Sequence, residues 1–447
     1  MGKKARVGLV SLGCSKNLID SEIMLGLLEG AGYILVTDPG EADAIIVNTC
    51  GFIEPAKREA VETIIALGEY KDKGRCRSLI VTGCLVQRYA DELEDELPEI
   101  DGLLGTGDFH RIVSVLEGTL AGKKCRFTGP PRAIFPGQWP RLLSRTGTFA
   151  YLKIAEGCNN HCSYCVIPQL RGPLASRPLE EIVQEAKALA KLGNKELVLV
   201  AQDTTRYGED LYGRPTLPEL LRQLASIDGV LWLRLLYCYP SRISPELIQV
   251  LKEEPKVLKY LDMPIQHVSR DILQRMHRSH TKEEVRDLIG RLRREIPAIT
   301  IRTTFIVGFP GETAEEFSEL LSFIAEIRFD RAGFFTYSRE EGTPAAALSG
   351  QIPPGEKKSR YEAVMKLQQA ISKAKNEDWL GKEMEVLVER RTSEPGCLLG
   401  RSYRDAPEID GLVYVNAPET ALGNIIKVKI TGATEYDLRG VVKGESG

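Results

Sequence analysis

Short apolar runs alternate with amphipathic segments through most of the chain. Arg6–Leu12, Asp43–Thr49 and Leu79–Gly83 read as buried strands, and segments of helical period follow them at Asn17–Tyr33, Pro55–Tyr70 and Gln87–Leu97. Strands separated by helices imply a parallel sheet with right-handed crossovers, so residues 1–120 are expected to form an N-terminal α/β domain. The texture breaks over 121–148, where Pro130, Pro131, Pro136 and Pro140 interrupt regular structure. Six basic residues (Lys123, Lys124, Arg126, Arg132, Arg141, Arg145) stand there without an acidic one. That composition predicts a solvated linker, with contact to an acidic partner such as ribosomal RNA as the sharper alternative.

Alternation resumes over 149–379. Strands are predicted at Ala150–Ala155, Glu196–Ala201, Trp232–Tyr237, Tyr260–Pro264, Ile299–Val307 and Ala332–Tyr337. Helical segments separate them, among them Leu179–Leu192, Pro245–Glu253 and Lys282–Ile296. Six strand–helix units suggest an open (βα)6 partial barrel that resembles a TIM barrel short of two units, with its active face at the strand carboxyl ends. A charged helix over Pro354–Trp379 leads into residues 380–447, where short alternating strands and Gly-containing turns predict a small antiparallel, OB-like β-barrel.

At 447 residues the chain is too long for one ordinary core, in keeping with several domains. A net charge of −3 gives no global pull toward nucleic acid or an anionic membrane. No run of about 18 apolar residues appears, and Met1-Gly2-Lys3-Lys4 leads into the first strand without a signal peptide, so a cytoplasmic protein is expected. In that compartment thiols stay reduced, and clustered cysteines point to metal or catalysis.

Cys158, Cys162 and Cys165 form a C-x3-C-x2-C run. Three thiolates so close suit three irons of a cubic iron–sulfur cluster, leaving the fourth iron open to a small molecule. Zinc with His161 as fourth ligand, or a disulfide, are the alternatives. The run follows the first strand of the central domain, on the expected active face. Cys14, Cys50 and Cys84 each follow a predicted strand of the first domain, and so belong to the edge where open α/β sheets place ligands. They predict a second cluster; the alternative is buried strand-end thiols.

The triplet with Tyr164 before its third cysteine resembles the radical S-adenosylmethionine superfamily. The three-domain arrangement is similar to the methylthiotransferases over essentially the full length. Ser11-Leu12-Gly13-Cys14-Ser15-Lys16-Asn17, Arg171-Gly172, Ser176-Arg177-Pro178 and Ala201-Gln202-Asp203-Thr204-Thr205-Arg206-Tyr207-Gly208 resemble the branch that modifies a ribosomal protein aspartate, the RimO family. The tRNA-modifying branch usually has Gly-Cys-Gln-Met-Asn around the first cysteine.

The resemblance implies two 4Fe-4S clusters, an auxiliary one on Cys14, Cys50 and Cys84 and a radical-generating one on Cys158, Cys162 and Cys165. It further implies S-adenosyl-L-methionine as methyl donor and radical source, and methylthiolation at the β-carbon of an aspartate in the twelfth small-subunit ribosomal protein. An external low-potential electron donor and a sulfur donor are implied as partners. The alternatives are the same chemistry on a tRNA adenosine and a non-catalytic iron–sulfur protein that binds ribosomes.

The C-terminal region resembles a TRAM module. Its nine Lys/Arg against eleven Asp/Glu over 380–447 suit a basic protein partner better than RNA, so RNA contact is possible without being required. A local patch of Arg390, Arg391, Arg401 and Arg404 is the candidate phosphate contact. Further candidates for cofactor contact are Tyr164, Gln202, Asp203 and Arg302, the last toward the methionine carboxylate. Gly308-Phe309-Pro310-Gly311-Glu312-Thr313 lacks the Lys-Ser/Thr ending of a phosphate loop, and predicts a tight turn with Thr313 and Glu316 as a capping box.

Overall fold

The computed structural model describes residues 5–131, 139–144 and 147–442; Arg132, Pro136 and Arg145 of the expected linker lie outside them. The first sheet holds β1 (Arg6–Ser11), β2 (Ile34–Val36), β3 (Ala44–Thr49), β4 (Ser78–Gly83), β5 (Gly102–Leu104) and β6 (Cys125–Phe127). All are parallel, in the order β2-β1-β3-β4-β5-β6. The direction of winding reverses between β1 and β3, which makes that edge the topological switch point. Ile45, Val47, Leu79 and Val81 pack one face against helices, and Val7, Ala44, Ile46 and Ile80 pack the other. Burial on both faces is why these strands read as continuous apolar runs.

The boundary expected at residue 120 falls short. β6 belongs to this sheet, pairing with β5 through Gly102↔Cys125 and Leu104↔Phe127. Nor is the basic stretch a solvated tether where it is described. Arg141 is buried between Glu22 and Glu185, at 2.6 Å from each, and Lys124 donates to the carbonyl of Pro98 at 2.7 Å. Those cations are held by the protein's own acceptors.

The central sheet comprises β7 (Phe149–Lys153), β10 (Glu196–Val200), β11 (Trp232–Leu235), β12 (Val257–Gln266), β13 (Thr300–Val307) and β14 (Arg331–Thr336); a short pair, β8 (Ala155–Glu156) with β9 (Ala175–Ser176), lies beside it. Each strand pairs in parallel with the next, giving β14-β13-β12-β11-β10-β7 with no closing pair. This is the expected open (βα)6 arrangement. Leu152, Leu199, Leu235, Leu261 and Phe305 face the outer helices. Tyr151, Val198, Trp232, Leu258 and Tyr260 face inward, where Ile19 and Ile23 of the first domain and Leu387 and Ala406 of the last complete the packing.

The C-terminal strands β15 (Glu383–Arg391), β16 (Cys397–Ser402), β17 (Val413–Asn416), β18 (Ile425–Ala433) and β19 (Leu438–Val442) close a barrel in the order β15-β16-β17-β19-β18. One pair, β17 with β19, is parallel, so the barrel is not wholly antiparallel. Of the four arginines in the candidate patch, Arg390 and Arg391 are exposed and the other two are buried. Arg401 is 1% exposed and pairs with Glu196 and Glu389, each at 2.6 Å; Arg404 is buried; Arg391 pairs with Glu419. The loop after β16 instead seals the amino-terminal end of the half-barrel. Arg331 pairs with Asp405 at 2.6 Å, and the Tyr260 hydroxyl donates to Asp410 at 2.6 Å. The carboxyl-terminal end is thereby left as the open one.

Candidate functional site

Cys14, Cys50 and Cys84 follow β1, β3 and β4, three neighbours in the first sheet. In register, Thr49 pairs with Gly83, which puts Cys50 beside Cys84. Two glycines allow the loops to meet. A Cβ on Gly51 would fall 2.7 Å from the Cys84 carbonyl oxygen, and one on Gly13 would fall 2.8 Å from the Cys50 Cβ.

Asn17 ties the group together, a role that spacing alone did not reveal. Its Nδ2 donates to the Leu12 carbonyl at 3.1 Å and to that of Thr49 at 2.9 Å, and its Oδ1 lies 3.9 Å from the Cys84 sulfur. All three thiols are free. Burial, with the nearby Cys84 and Cys14 sulfurs adding to it, pushes the Cys50 thiol up to about 12.

Cys158, Cys162 and Cys165 occupy a loop at the carboxyl edge of the half-barrel. The loop is pinned at several points: Cys158 N donates to Gly172 O at 3.0 Å, Ser163 N to Met276 O at 3.1 Å, and Ser163 Oγ to Arg275 O at 2.6 Å. Two sulfurs accept backbone hydrogen bonds, Cys158 from Asn160 N at 3.4 Å and Cys165 from Ile167 N at 3.5 Å. Arg278, unremarked in the sequence, brings its Nη1 to 3.9 Å from the Cys162 sulfur while stacking 4.0 Å from the Tyr239 ring centre. Burial foremost pushes the Cys165 thiol up to about 12, and the Cys162 and Cys158 sulfurs add to the shift.

His161 is exposed, and among the described residues no three Cys, His, Asp or Glu side chains gather round a single ion position. Three spaced thiols fit separate irons of one cluster better than one zinc ion. The donor set therefore fits a 4Fe-4S cluster with an open iron.

The other candidate contacts divide. Tyr164 is half-buried against Phe309, Tyr337 and Met276; burial first, then the Cys162 sulfur, holds its hydroxyl well above the usual tyrosine range. Gln202 donates to Glu156 Oε1 at 2.5 Å, while its own Oε1 is buried without a partner.

Asp203 is not free for a ribose. One carboxylate oxygen accepts from Asn160 Nδ2 at 2.8 Å, and the other from Thr205 N at 3.1 Å, so it braces the cysteine loop. Arg302 is also misplaced as a methionine ligand. It lies third in β13, at the wrong end of the strand, and pairs with Asp262 at 2.8 Å and Asp410 at 3.4 Å. An apolar run shows that a strand exists but not how far along it a given residue falls.

Gly308–Thr313 forms the expected turn at the end of β13. Glu312 accepts from Phe309 N at 3.1 Å and meets Arg360 at the same distance. The capping box is present, Thr313 N donating to Glu316 at 2.8 Å and Glu316 N to Thr313 Oγ1 at 3.2 Å.

A buried ionic network joins the two cysteine groups. Arg171 reaches Asp20 at 2.7 Å, Glu156 at 3.1 Å and the Asn17 side chain, and Lys153 reaches Asp20 at 2.5 Å and Glu156 at 2.9 Å. Burial opposes ionisation of Glu156, but Lys153 and Arg171 outweigh it and hold the carboxyl well below its usual range. Asp20 and Asn17 belong to the helix Ser15–Gly30 that Cys14 caps, so this network fixes one domain's cysteines against the other's.

Three family profiles match along the chain. Residues 6–105 match the family described as uncharacterized protein family UPF0004, 152–324 the Radical SAM superfamily, and 380–442 the TRAM domain. The chain is 52% identical over 441 residues to the ribosomal protein uS12 methylthiotransferase RimO of Geobacter sulfurreducens, covering 98% of this chain and 99% of that one. It is 53% identical over 437 residues to the protein of the same name from Pelotomaculum thermopropionicum, covering 97% and 98%. Among solved structures it is similar in fold to the radical S-adenosylmethionine methyltransferase TsrM from Kitasatospora setae. The TM-score is 0.57 at 17% identity, over 76% of this chain and 77% of that one. A second likeness in fold is to the cobalamin-dependent S-adenosylmethionine radical enzyme OxsB, with a TM-score of 0.52 at 12% identity over 77% and 55%.

Proposed function

The chain belongs to the RimO family of radical S-adenosylmethionine methylthiotransferases, and from that membership we propose that it methylthiolates the β-carbon of an aspartate in ribosomal protein uS12. The observation that carries this reading is the pairing of two three-cysteine groups across one domain interface, locked by Arg171, Asp20, Glu156 and Lys153.

Cys158, Cys162 and Cys165 would hold one 4Fe-4S cluster, and Cys14, Cys50 and Cys84 the second. When bound, the clusters and S-adenosylmethionine supply the hydrogen-abstracting radical, the methyl group and a docking point for sulfur. The chain's own residues prepare that chemistry. Backbone N–H groups of Asn160 and Ile167 and the Arg278 guanidinium face the sulfurs of the radical triplet. Donors to cluster sulfurs and burial are levers on reduction potential. Asp203 holds the loop's shape through Asn160. Gln202, with an unpartnered carbonyl oxygen, and Tyr164 remain as cofactor contacts in this proposal. The C-terminal barrel closes the lower mouth of the half-barrel, which keeps water from entering there.

An external low-potential reductant and a sulfur donor complete the reaction. Among the described residues no helix is long and apolar enough to cross a membrane, and the proposed ribosomal substrate implies work in the cytoplasm.

The test is anaerobic reconstitution followed by reaction with S-adenosylmethionine, dithionite and sulfide, in parallel on uS12 and on tRNA. Mass spectrometry should find the methylthio group on a uS12 aspartate. Modification of tRNA alone would replace this reading with the adenosine-modifying one. Absence of any S-adenosylmethionine cleavage would leave a non-catalytic iron–sulfur protein.

A further inference from the structure

Among the described residues one cation beside the first cysteine group, Lys16, is left without an acceptor. Lys16 follows Cys14 by two residues, in the first turn of the helix Ser15–Gly30, and is 7% exposed. Its ammonium stands 3.3 Å from the centre of the Tyr237 ring, and among the described residues it has no carboxylate, carbonyl or hydroxyl partner. The neighbouring Ser15 Oγ is likewise buried and unpartnered. The contrast with nearby buried cations is plain, since Lys153 and Arg171 each meet two carboxylates. An aromatic face returns only part of what an ammonium loses on leaving water. The ammonium is not among the polar atoms sealed from solvent, so it stands open to an arriving anion.

Tyr237 is fixed to receive it. Its backbone has φ 60°, uncommon for a tyrosine and of the kind of strain that gathers at ligand sites. Its N–H donates to Asp262 at 3.0 Å, and its carbonyl accepts from Thr204 N at 3.0 Å. Thr204 follows Asp203, whose carboxylate holds Asn160 between Cys158 and Cys162. Lys16 is thus tethered to one triplet through its own chain and to the other through Tyr237.

We propose that Lys16 binds the carboxylate of the substrate side chain and so selects the residue to be modified. The assignment rests on the aspartate-modifying reading. In aspartate the carbon that reacts is bonded directly to a carboxylate, so an ammonium between the two centres grips the substrate one bond from the chemistry. An adenine base offers no such anion. The competing role, counter-charge to the sulfurs that follow β1, predicts a different result.

The experiment measures binding of uS12 to the reconstituted holoenzyme with S-adenosylmethionine and no reductant. The wild type, Lys16→Met and Lys16→Arg are each titrated with uS12 and with uS12 in which the target aspartate is asparagine. A charge-assisted hydrogen bond is worth about a ten- to hundredfold in affinity. The wild type is expected to prefer the aspartate form by that factor. Lys16→Met should bind both forms equally weakly, and Lys16→Arg should restore most of the preference. Iron content and the electron paramagnetic resonance of the reduced clusters should match wild type in both variants.

Undiminished discrimination by Lys16→Met would overturn the assignment, and so would loss of iron or an altered cluster spectrum, which would mark a counter-charge. A separate turnover arm with wild-type enzyme guards the premise. If uS12 is not modified there, the function itself is wrong; if it is modified while Lys16→Met still discriminates, only the role of Lys16 falls.

Discussion

Arg171 is the side chain on which the two halves of the site depend. It meets Asp20 and Glu156 and touches Asn17, whose amide in turn spans the loops of Cys14, Cys50 and Cys84. Removing one member of a buried ionic network leaves the others desolvated and underpaired, at about 3–5 kcal/mol. Lys153 remains to serve both carboxylates, so Arg171→Met is expected to cost about 3 kcal/mol, read as a lower urea midpoint, with Arg171→Lys intermediate. Gly51 makes a complementary case in which the constraint is steric. Because a Cβ there would press on the backbone of Cys84, Gly51→Val must separate the Cys50 and Cys84 loops. The expected outcome is loss of about half the iron after reconstitution, with the spectrum of the radical cluster retained. Full iron in that variant would mean that these cysteines hold no cluster.

At the scale of elements, the longer helices announced themselves through period and caps, while the helix Ile112–Leu120 did not. Thr313 and Glu316 were legible as a box because both partners lie within four residues, and both hydrogen bonds form. Thr313→Ala is expected to lower stability by about 1 kcal/mol, seen as a small fall in the urea midpoint with cluster content unchanged. Strands were legible where both faces are buried, as in β3 and β4. The strands missed were β2, β5 and β6, each of three residues, the two-residue β9, and β16, whose Gly400 and Arg401 interrupt its apolar run. Nothing local makes Cys125–Phe127 a strand. It becomes one because β5 offers it an edge.

Across the whole molecule, buried ion pairs stitch the three regions together. Glu196 lies between Arg234 and Arg401, Asp405 meets Arg331, and Glu185 meets Arg141 and Arg177. In each case burial works against ionisation, and the neighbouring arginines overcome it, holding the carboxyl below its ordinary range. A carboxyl depressed in the folded state contributes stability that is complete above its unfolded pKa, about 4, and lost as pH falls through the folded value. Urea midpoints should therefore decline gently below about pH 6.5, where burial and then Arg278 keep His280 unprotonated in the folded state, and drop steeply below about pH 4. A midpoint that held constant to pH 3 would show that these carboxylates do not carry the domain contacts.

The sequence by itself determined the type of the longer elements, the order of the regions they build and the two cysteine motifs, because apolar period and cysteine spacing are local and survive without neighbours. It also placed Cys14, Cys50 and Cys84 on one sheet edge, since parallel strands send all their carboxyl ends the same way. Only the tertiary structure decided what the charged residues do. Arg302, Arg401 and Asp203 were candidates for a cofactor or a phosphate, yet each spends its charge on a partner distant in sequence. Lys16 was one letter in a motif until folding laid its ammonium on the Tyr237 ring, with no anionic partner among the described residues. A charge acquires meaning from what lies within a few ångströms, and those neighbours are chosen by the fold.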